Sequence, residues 1–466
     1  MSTPHQPADL GVLRFITAGS VDDGKSTLIG RLLYDSKAVL SDQLSALSRA
    51  KNKRTVGEEI DLSLLTDGLE AEREQGITID VAYRYFATAK RKFIIADTPG
   101  HEQYTRNMVT GASTAHAAIV LIDATRVTKD ADGRTILLPQ TKRHSAIVKL
   151  LGLQHTIVAI NKMDLVDYSE TRFNEIRDAY VELARQLGLA LPRVGPPQAG
   201  QQPPRGAASE SERQGCSTLR FVPVSALKGD NIVQASERMP WYAGEPLLDL
   251  LEQLPVAQAT GEALRFPVQW VARQDGASAD DFRGYMGRVE AGEVRVGDTI
   301  IMLPAQREAT VAEIIAPVPG GTAAVDRAFA GQTVTIRLTQ DVDVSRGDTF
   351  VAALEAPQPA KKLTADLCWF DAEPLSTQRK YLLKQTTTTV FARIGAVEEV
   401  LDVHTLSQIK TICDIHMNDI GRVALLLQKP IICDVYDKHP AMGAFVLIDE
   451  ITHHTVAAGM IRTFSA

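Results

Sequence analysis

The chain has 466 residues, 44% of them hydrophobic and 23% charged, which at roughly 150 residues per domain suggests about three packed domains. That balance excludes a wholly disordered or collagen-like chain, and no apolar run approaches the roughly 18 residues of a membrane span. A formal charge of -7 gives no broad pull toward nucleic acid, so neither nucleic acid nor membrane is an expected partner. Residues 1–9 lack the basic and apolar regions of a signal peptide. The four cysteines, Cys216, Cys368, Cys413 and Cys433, lie far apart with no C-x-x-C. Free thiols in a reducing, cytoplasmic setting are expected.

In chain order, residues 13–18 read as a first strand and 26–34 as the helix that follows. Residues 81–88 alternate around Tyr83 and Tyr85 and suggest an edge strand. Residues 92–96, 118–122 and 156–160 are near-continuous apolar runs, as expected where helices cover both faces of a sheet. Residues 170–187 place Phe173, Ile176, Tyr180, Leu183 and Leu187 on one helical face, with Ser169 able to cap the start and Gly188 to end it. Residues 192–215 hold five prolines and four glycines among 24 positions, too little apolar surface for a core, and read as a flexible surface insertion. A further strand is expected at 219–224. Strands alternating with helices imply a mostly parallel α/β sheet.

After Leu254-Pro255 the texture changes to short β-rich runs broken by Gly-Asp turns, at 294–300 and 344–350. Such spacing indicates a small barrel or sandwich. Residues 357–362 read as a linker, and 363–466 are again strand-rich, with 386–394 and 431–435 as examples. The expected domains are 10–255, with its insertion at 192–215, then two β domains at 260–356 and 363–466.

Gly19-Ser20-Val21-Asp22-Asp23-Gly24-Lys25-Ser26 fits G-x-x-x-x-G-K-[ST] and stands between the first strand and first helix, where a phosphate loop belongs. Its glycines let backbone N–H groups converge on phosphate oxygens, Lys25 adds a point charge, and the helix N-terminus adds its dipole. Ser26 is the expected Mg²⁺ ligand. Asp97-Thr98-Pro99-Gly100-His101 follows a strand, so Asp97 lies at a carboxyl end of the sheet, where open α/β folds bind ligands. There it can hold Mg²⁺ through water, while Gly100 offers its N–H to a γ-phosphate. Asn161-Lys162-Met163-Asp164 ends another strand. One carboxylate accepts both N1–H and the 2-amino group of guanine, a donor pair that adenine lacks, so Asp164 favours GTP over ATP. Ser225-Ala226-Leu227 completes a guanine pocket through backbone and hydroxyl contacts. Thr78, between Ile77 and Ile79, reads as plain β sequence alone. Placed after a phosphate loop, it is a candidate switch threonine for Mg²⁺ and γ-phosphate. The order of these motifs is that of a GTPase.

The block Asp97–His101, the string Arg73-Glu-Gln-Gly-Ile-Thr78 and the two trailing β domains resemble elongation factor Tu and its relatives. The implied fold is an α/β P-loop GTPase domain followed by two β-barrel domains. Those factors usually carry His where Asp23 stands. The loop from Gly19 to Thr27 is instead similar to the GTP-binding large subunit of bacterial ATP sulfurylase, the sulfate adenylyltransferase subunit 1 family. So are residues 67–76, 93–107, 239–243 and 363–369, and the resemblance runs from about residue 10 onward, the 192–215 segment excepted.

The resemblance implies a heterodimer or higher assembly with a small catalytic subunit. That partner transfers the adenylyl group of ATP to sulfate, giving adenosine 5′-phosphosulfate and diphosphate, and the large subunit couples the step to GTP hydrolysis. With only one phosphate loop, no ATP and sulfate site is expected here, nor a fused adenylylsulfate kinase. It also implies roles: the loop residues and Lys25 on the phosphates, Ser26, Thr78 and Asp97 on Mg²⁺, and His101 positioning the attacking water. Two other readings are a translation GTPase acting on tRNA and ribosome, and a non-catalytic GTP-binding scaffold. Asp23 and the Leu-Cys-Trp block at 367–369 weigh against the first, and the presence of Lys25 and His101 against the second.

Overall fold

The computed structural model describes residues 11–37, 62–65, 80–189, 218–256, 262–274, 282–402, 408–410 and 414–466. Thr78, the 192–215 segment, Cys216 and Cys413 lie outside the described residues. The chain forms two compact units that divide near residue 257.

The first unit is built on a six-stranded sheet. Its strands are β1 (Val12–Ala18), β2 (Ala82–Ala87), β3 (Lys92–Asp97), β4 (Ala117–Asp123), β7 (His155–Asn161) and β8 (Thr218–Pro223), while β5 (Thr128–Lys129) and β6 (Thr135–Ile136) make a separate hairpin. The order is β2-β3-β1-β4-β7-β8. Only β2 runs antiparallel to its neighbour. β4 and β7 are buried at every position, which is what their unbroken apolar runs require. On β2, Tyr83 and Tyr85 face out while Phe86 turns in and stacks on Phe93 with ring centroids 4.5 Å apart. The alternation is that of an edge strand.

Helix α1 (Lys25–Asp35) packs Leu28, Ile29, Leu32 and Leu33 into a core shared with Leu13 and Phe15 of β1. Helices α2 (Thr105–Ala112), α3 (Pro139–Leu150), α4 (Glu170–Leu187) and α5 (Leu247–Gln253) complete the unit. α4 has the expected bounds. Ser169 Oγ accepts from the Arg172 amide at 3.2 Å, and Gly188 closes the helix at φ 65°, a conformation open to glycine at little cost. No described helix is long and apolar enough to cross a membrane.

The second unit holds two six-stranded barrels. In the first, β12 (Thr299–Leu303), β17 (Thr349–Ala352), β9 (Arg265–Gln274), β10 (Phe282–Arg288), β16 (Thr333–Leu338) and β13 (Arg307–Val318) close through the β12–β13 pairing. In the second, β19 (Lys380–Gln385), β23 (Ala444–Asp449), β24 (Thr455–Ser465), β18 (Ala360–Trp369), β22 (Ile420–Ile431) and β20 (Thr388–Leu401) close through β19–β20. Closure leaves no unpaired edge within either ring. The two Gly-Asp turns use one device. Asp298 and Asp348 each accept a backbone amide three residues back, from Arg295 and Ser345, at 2.8 Å, with Gly297 and Gly347 at positive φ.

Three sequence expectations differ from the structure. Residues 386 and 387 are not strand but the two-residue turn between β19 and β20, with Thr386 at φ 46°. A run of four threonines has strong β propensity and hides that turn. Residues 432–435 follow the end of β22 rather than form a strand. The segment opens apolar because Ile432 packs with Leu303, Val351 and Met442 where the barrels meet. Beside it, Asp434 takes a bidentate pair from Arg265, at 2.8 and 3.3 Å. The linker expected at 357–362 is shorter, because β18 starts at Ala360. Cys368 and Cys433 are both buried.

Candidate nucleotide site

The phosphate loop leaves β1 at Ala18 and enters α1 at Lys25. Asp22 at φ 67° and Gly24 at φ 94° turn the chain so that successive amides face one concavity. Gly24 has no substitute: a Cβ there would collide with the Asn161 amide. Gly100 is equally constrained, since a Cβ would strike the Lys25 ammonium and approach Ser20 and Val21 backbone atoms at 2.9 Å. Asp97-Thr98-Pro99-Gly100 is therefore seated directly on the phosphate loop.

Lys25 is buried, and its Nζ donates to the carbonyls of Gly19 and Ser20 at 3.1 and 2.8 Å. Burial pushes its pKa down, against the pull of Asp23, Asp97 and Asp22. Asp23 is fully buried, and its Oδ2 accepts the Ser20 amide at 2.6 Å. Burial lifts its carboxyl to about 6, with Lys25 opposing.

Asp97 ends β3 with 2% exposure, and one carboxylate oxygen accepts Thr17 Oγ1 at 3.1 Å. Thr98 Oγ1 donates to the Thr17 carbonyl at 2.5 Å, so two residues of this block are pinned to β1. Ser26 is half-buried in the first turn of α1. A carboxylate and a hydroxyl are the hard oxygen donors that Mg²⁺ takes, and the residues present fit it. His101 follows Gly100, and its Nδ1 accepts the Gln103 amide at 3.3 Å. The neutral ring then carries its proton on Nε2 and presents a donor there.

At the other end of the site Asn161 is a cross-brace. Its Nδ2 donates to the Asp23 carbonyl at 2.8 Å and its Oδ1 accepts the Ala226 amide at 2.9 Å. Asp164 accepts Ser225 Oγ at 2.7 Å. The phosphate loop, the Asn161–Asp164 turn and the Ser225–Leu227 segment are thus one bonded assembly. Within it Met163 is wholly buried and acts as packing, whereas Lys162 pairs with Asp123 at 2.7 Å. Burial raises the Asp123 pKa, but hydrogen bonds from Lys162 and Thr125 outweigh it and leave the group below the usual range.

Three residues that motif reading passed over also belong here. His144 of α3 accepts the Gly19 amide at 3.0 Å. Arg126 donates to the Val21 carbonyl at 2.5 Å. Arg31 of α1 donates to the Ala226 and Leu227 carbonyls. None lies in a short motif; Arg31 and His144 sit on the helices either side of the loop, which was the available signal.

Fold and site together define a P-loop GTPase of the translation-factor class. Residues 11–256 match the elongation factor Tu GTP binding domain, and residues 362–462 match the GTP-eEF1A C-terminal domain-like family. The chain is 46% identical over 456 residues to sulfate adenylyltransferase subunit 1 of Aliarcobacter butzleri, covering 97% of this chain and 88% of that one. It is 46% identical over 459 residues to the protein of the same name from Saccharophagus degradans, covering 98% and 88%. The chain belongs to the sulfate adenylyltransferase subunit 1 family. Among solved structures, sup35 complexed with GDP covers 98% of this chain and 95% of that chain at 20% identity, with a TM-score of 0.40.

Proposed function

We propose that this chain is the GTP-hydrolysing subunit of a cytoplasmic sulfate adenylyltransferase, paired with a small catalytic subunit in a heterodimer or higher assembly. It couples GTP hydrolysis to formation of adenosine 5′-phosphosulfate and diphosphate from ATP and sulfate. The observation that carries this reading is the bonded assembly of one phosphate loop with Asn161, Asp164 and Ser225, in a chain of that family.

In this mechanism Gly19 to Thr27 and Gly100 wrap the triphosphate, with Lys25 leaving its loop carbonyls to meet the β and γ oxygens. Asp164 takes N1–H and the 2-amino group of guanine, and Ser225 Oγ holds that carboxylate in place. Ser26, Thr78 and Asp97 would hold Mg²⁺, which would supply positive charge against the phosphates. His101 donates from Nε2 and orients the attacking water. The water oxygen bonds to Pγ as the Pγ–O bond to the β-phosphate breaks, the water's proton passes to the released phosphate, and GDP and phosphate leave. The three-part division 10–255, 260–356 and 363–466 gives the nucleotide its own domain and leaves the barrels for other duties. Incubating this chain with ATP and sulfate, with and without the small subunit, tests the division of labour. Product from this chain alone would overturn it.

A further inference from the structure

The Ser225–Leu227 segment carries a clamp that belongs to no GTPase motif. Arg31 Nε donates to the Ala226 carbonyl at 3.2 Å, and Nη2 donates to the Leu227 carbonyl. Its Nη1 stands 3.7 Å from Asp35, four residues along α1, which orients the fork. The Arg31 side chain keeps only 18% of its surface exposed.

The consequence lies on the other side of the backbone. In a trans peptide the carbonyl and the next N–H point in opposite directions. Holding the Ala226 carbonyl toward α1 therefore aims the Leu227 N–H away from α1. Holding the Leu227 carbonyl does the same for the Lys228 N–H, which closes on Ser225 Oγ at 3.2 Å. The Ala226 N–H is already taken by Asn161, and Ser225 Oγ donates to Asp164. The Leu227 amide is the donor in this segment whose direction Arg31 sets.

We propose that Arg31 is a positioning residue for guanine recognition. By fastening the Ala226 and Leu227 carbonyls it aims the Leu227 N–H at the 6-oxo group, while Asp164 reads N1 and the 2-amino group. The proposal rests on the guanine reading of Asp164. Two carbonyls on a planar fork call for arginine, because a lysine ammonium is a single point without that geometry.

The test compares GTP, ITP and tripolyphosphate on the wild-type chain, Arg31→Ala and Arg31→Lys. ITP keeps the 6-oxo group and lacks the 2-amino group; tripolyphosphate has no base. Arg31→Ala is expected to weaken GTP and ITP by the same factor, about tenfold for a lost charge-assisted contact. Tripolyphosphate binding and kcat at saturating GTP are expected to stay unchanged. Arg31→Lys should recover part of the loss, and it is the decisive variant if Arg31→Ala does not fold. Equal weakening of all three ligands, or wild-type GTP affinity in Arg31→Lys, overturns the proposal. Equal GTP and ITP affinity in the wild type would instead refute the Asp164 reading, a separate failure.

Discussion

His144 holds the first amide of the phosphate loop: its Nδ1 accepts the Gly19 N–H at 3.0 Å, with the ring 2% exposed. Burial, with Lys25 and Arg143 nearby, drops the imidazole pKa to about 3. The ring is therefore neutral near pH 7, and its Nδ1 stays an acceptor there. An imidazolium here would lose the Gly19 bond and face Lys25.

This gives a signed pH dependence. The His144 contribution is complete above the unfolded pKa of about 6.5 and is lost as pH falls, because the unfolded chain takes a proton that the native ring refuses. The slope approaches about 1.4 kcal/mol per pH unit below 6.5. His144→Asn, which offers an oxygen acceptor that does not titrate, should flatten the stability profile between pH 6.5 and 4. His144→Leu strands the Gly19 amide and should cost about 1–3 kcal/mol at pH 7.5. Chemical denaturation at several pH values checks both.

Asp23 runs the other way. Its folded pKa of about 6 lies above the ordinary aspartate value of 3.8, so stability present at low pH is lost as pH rises through 6. The full effect is on the order of 2–3 kcal/mol. Asp23→Asn should therefore be more stable than wild type at pH 8 and no more stable at pH 4. A triphosphate beside this carboxylate raises its pKa above 6, so wild-type GTP affinity should tighten as pH falls toward 6 and level off below it. The Asn variant should lack that step in a titration series.

Much of this was legible in the sequence, and the reasons differ by element. β4 and β7 announce themselves because full burial demands unbroken apolar runs, and α4 because one face, one cap and one glycine all agree. The phosphate loop and the Asn161–Asp164 turn are legible because their chemistry fixes residue types at fixed spacing. His144, Arg126 and Arg31 were not, since each acts on the backbone of a segment distant in sequence, and any donor or acceptor at the right place in space would serve. Residues 386–387 and 432–435 misled because threonine propensity and apolar character report burial as readily as strand.

Base choice tests the Asp164 assignment. The wild-type chain should prefer GTP over ATP by roughly 10⁴-fold, the scale for a site that leaves buried hydrogen-bonding groups unpaired with the wrong base. Asp164→Asn should move the preference toward xanthine nucleotides, whose 2-oxo group accepts where guanine donates. Competition binding measures it, and equal wild-type affinity for ATP and GTP rejects the assignment.

His101→Ala should leave GTP binding close to wild type and slow hydrolysis by an order of magnitude or more, because orienting water counts in the transition state. Single-turnover hydrolysis with the small subunit present separates the two quantities. Unchanged turnover would reduce His101 to a structural side chain.

Coupling is the central claim, and the yield of adenosine 5′-phosphosulfate in the reconstituted complex tests it most directly. With both subunits, ATP and sulfate, added GTP should carry the yield above its equilibrium value. A non-hydrolysable GTP analogue should never do so, since binding alone supplies no net free energy over a cycle. Lys25→Ala in this chain should remove the excess and leave the partner's basal reaction intact. A yield that stays at equilibrium with GTP present, or one that the analogue also lifts, contradicts the account.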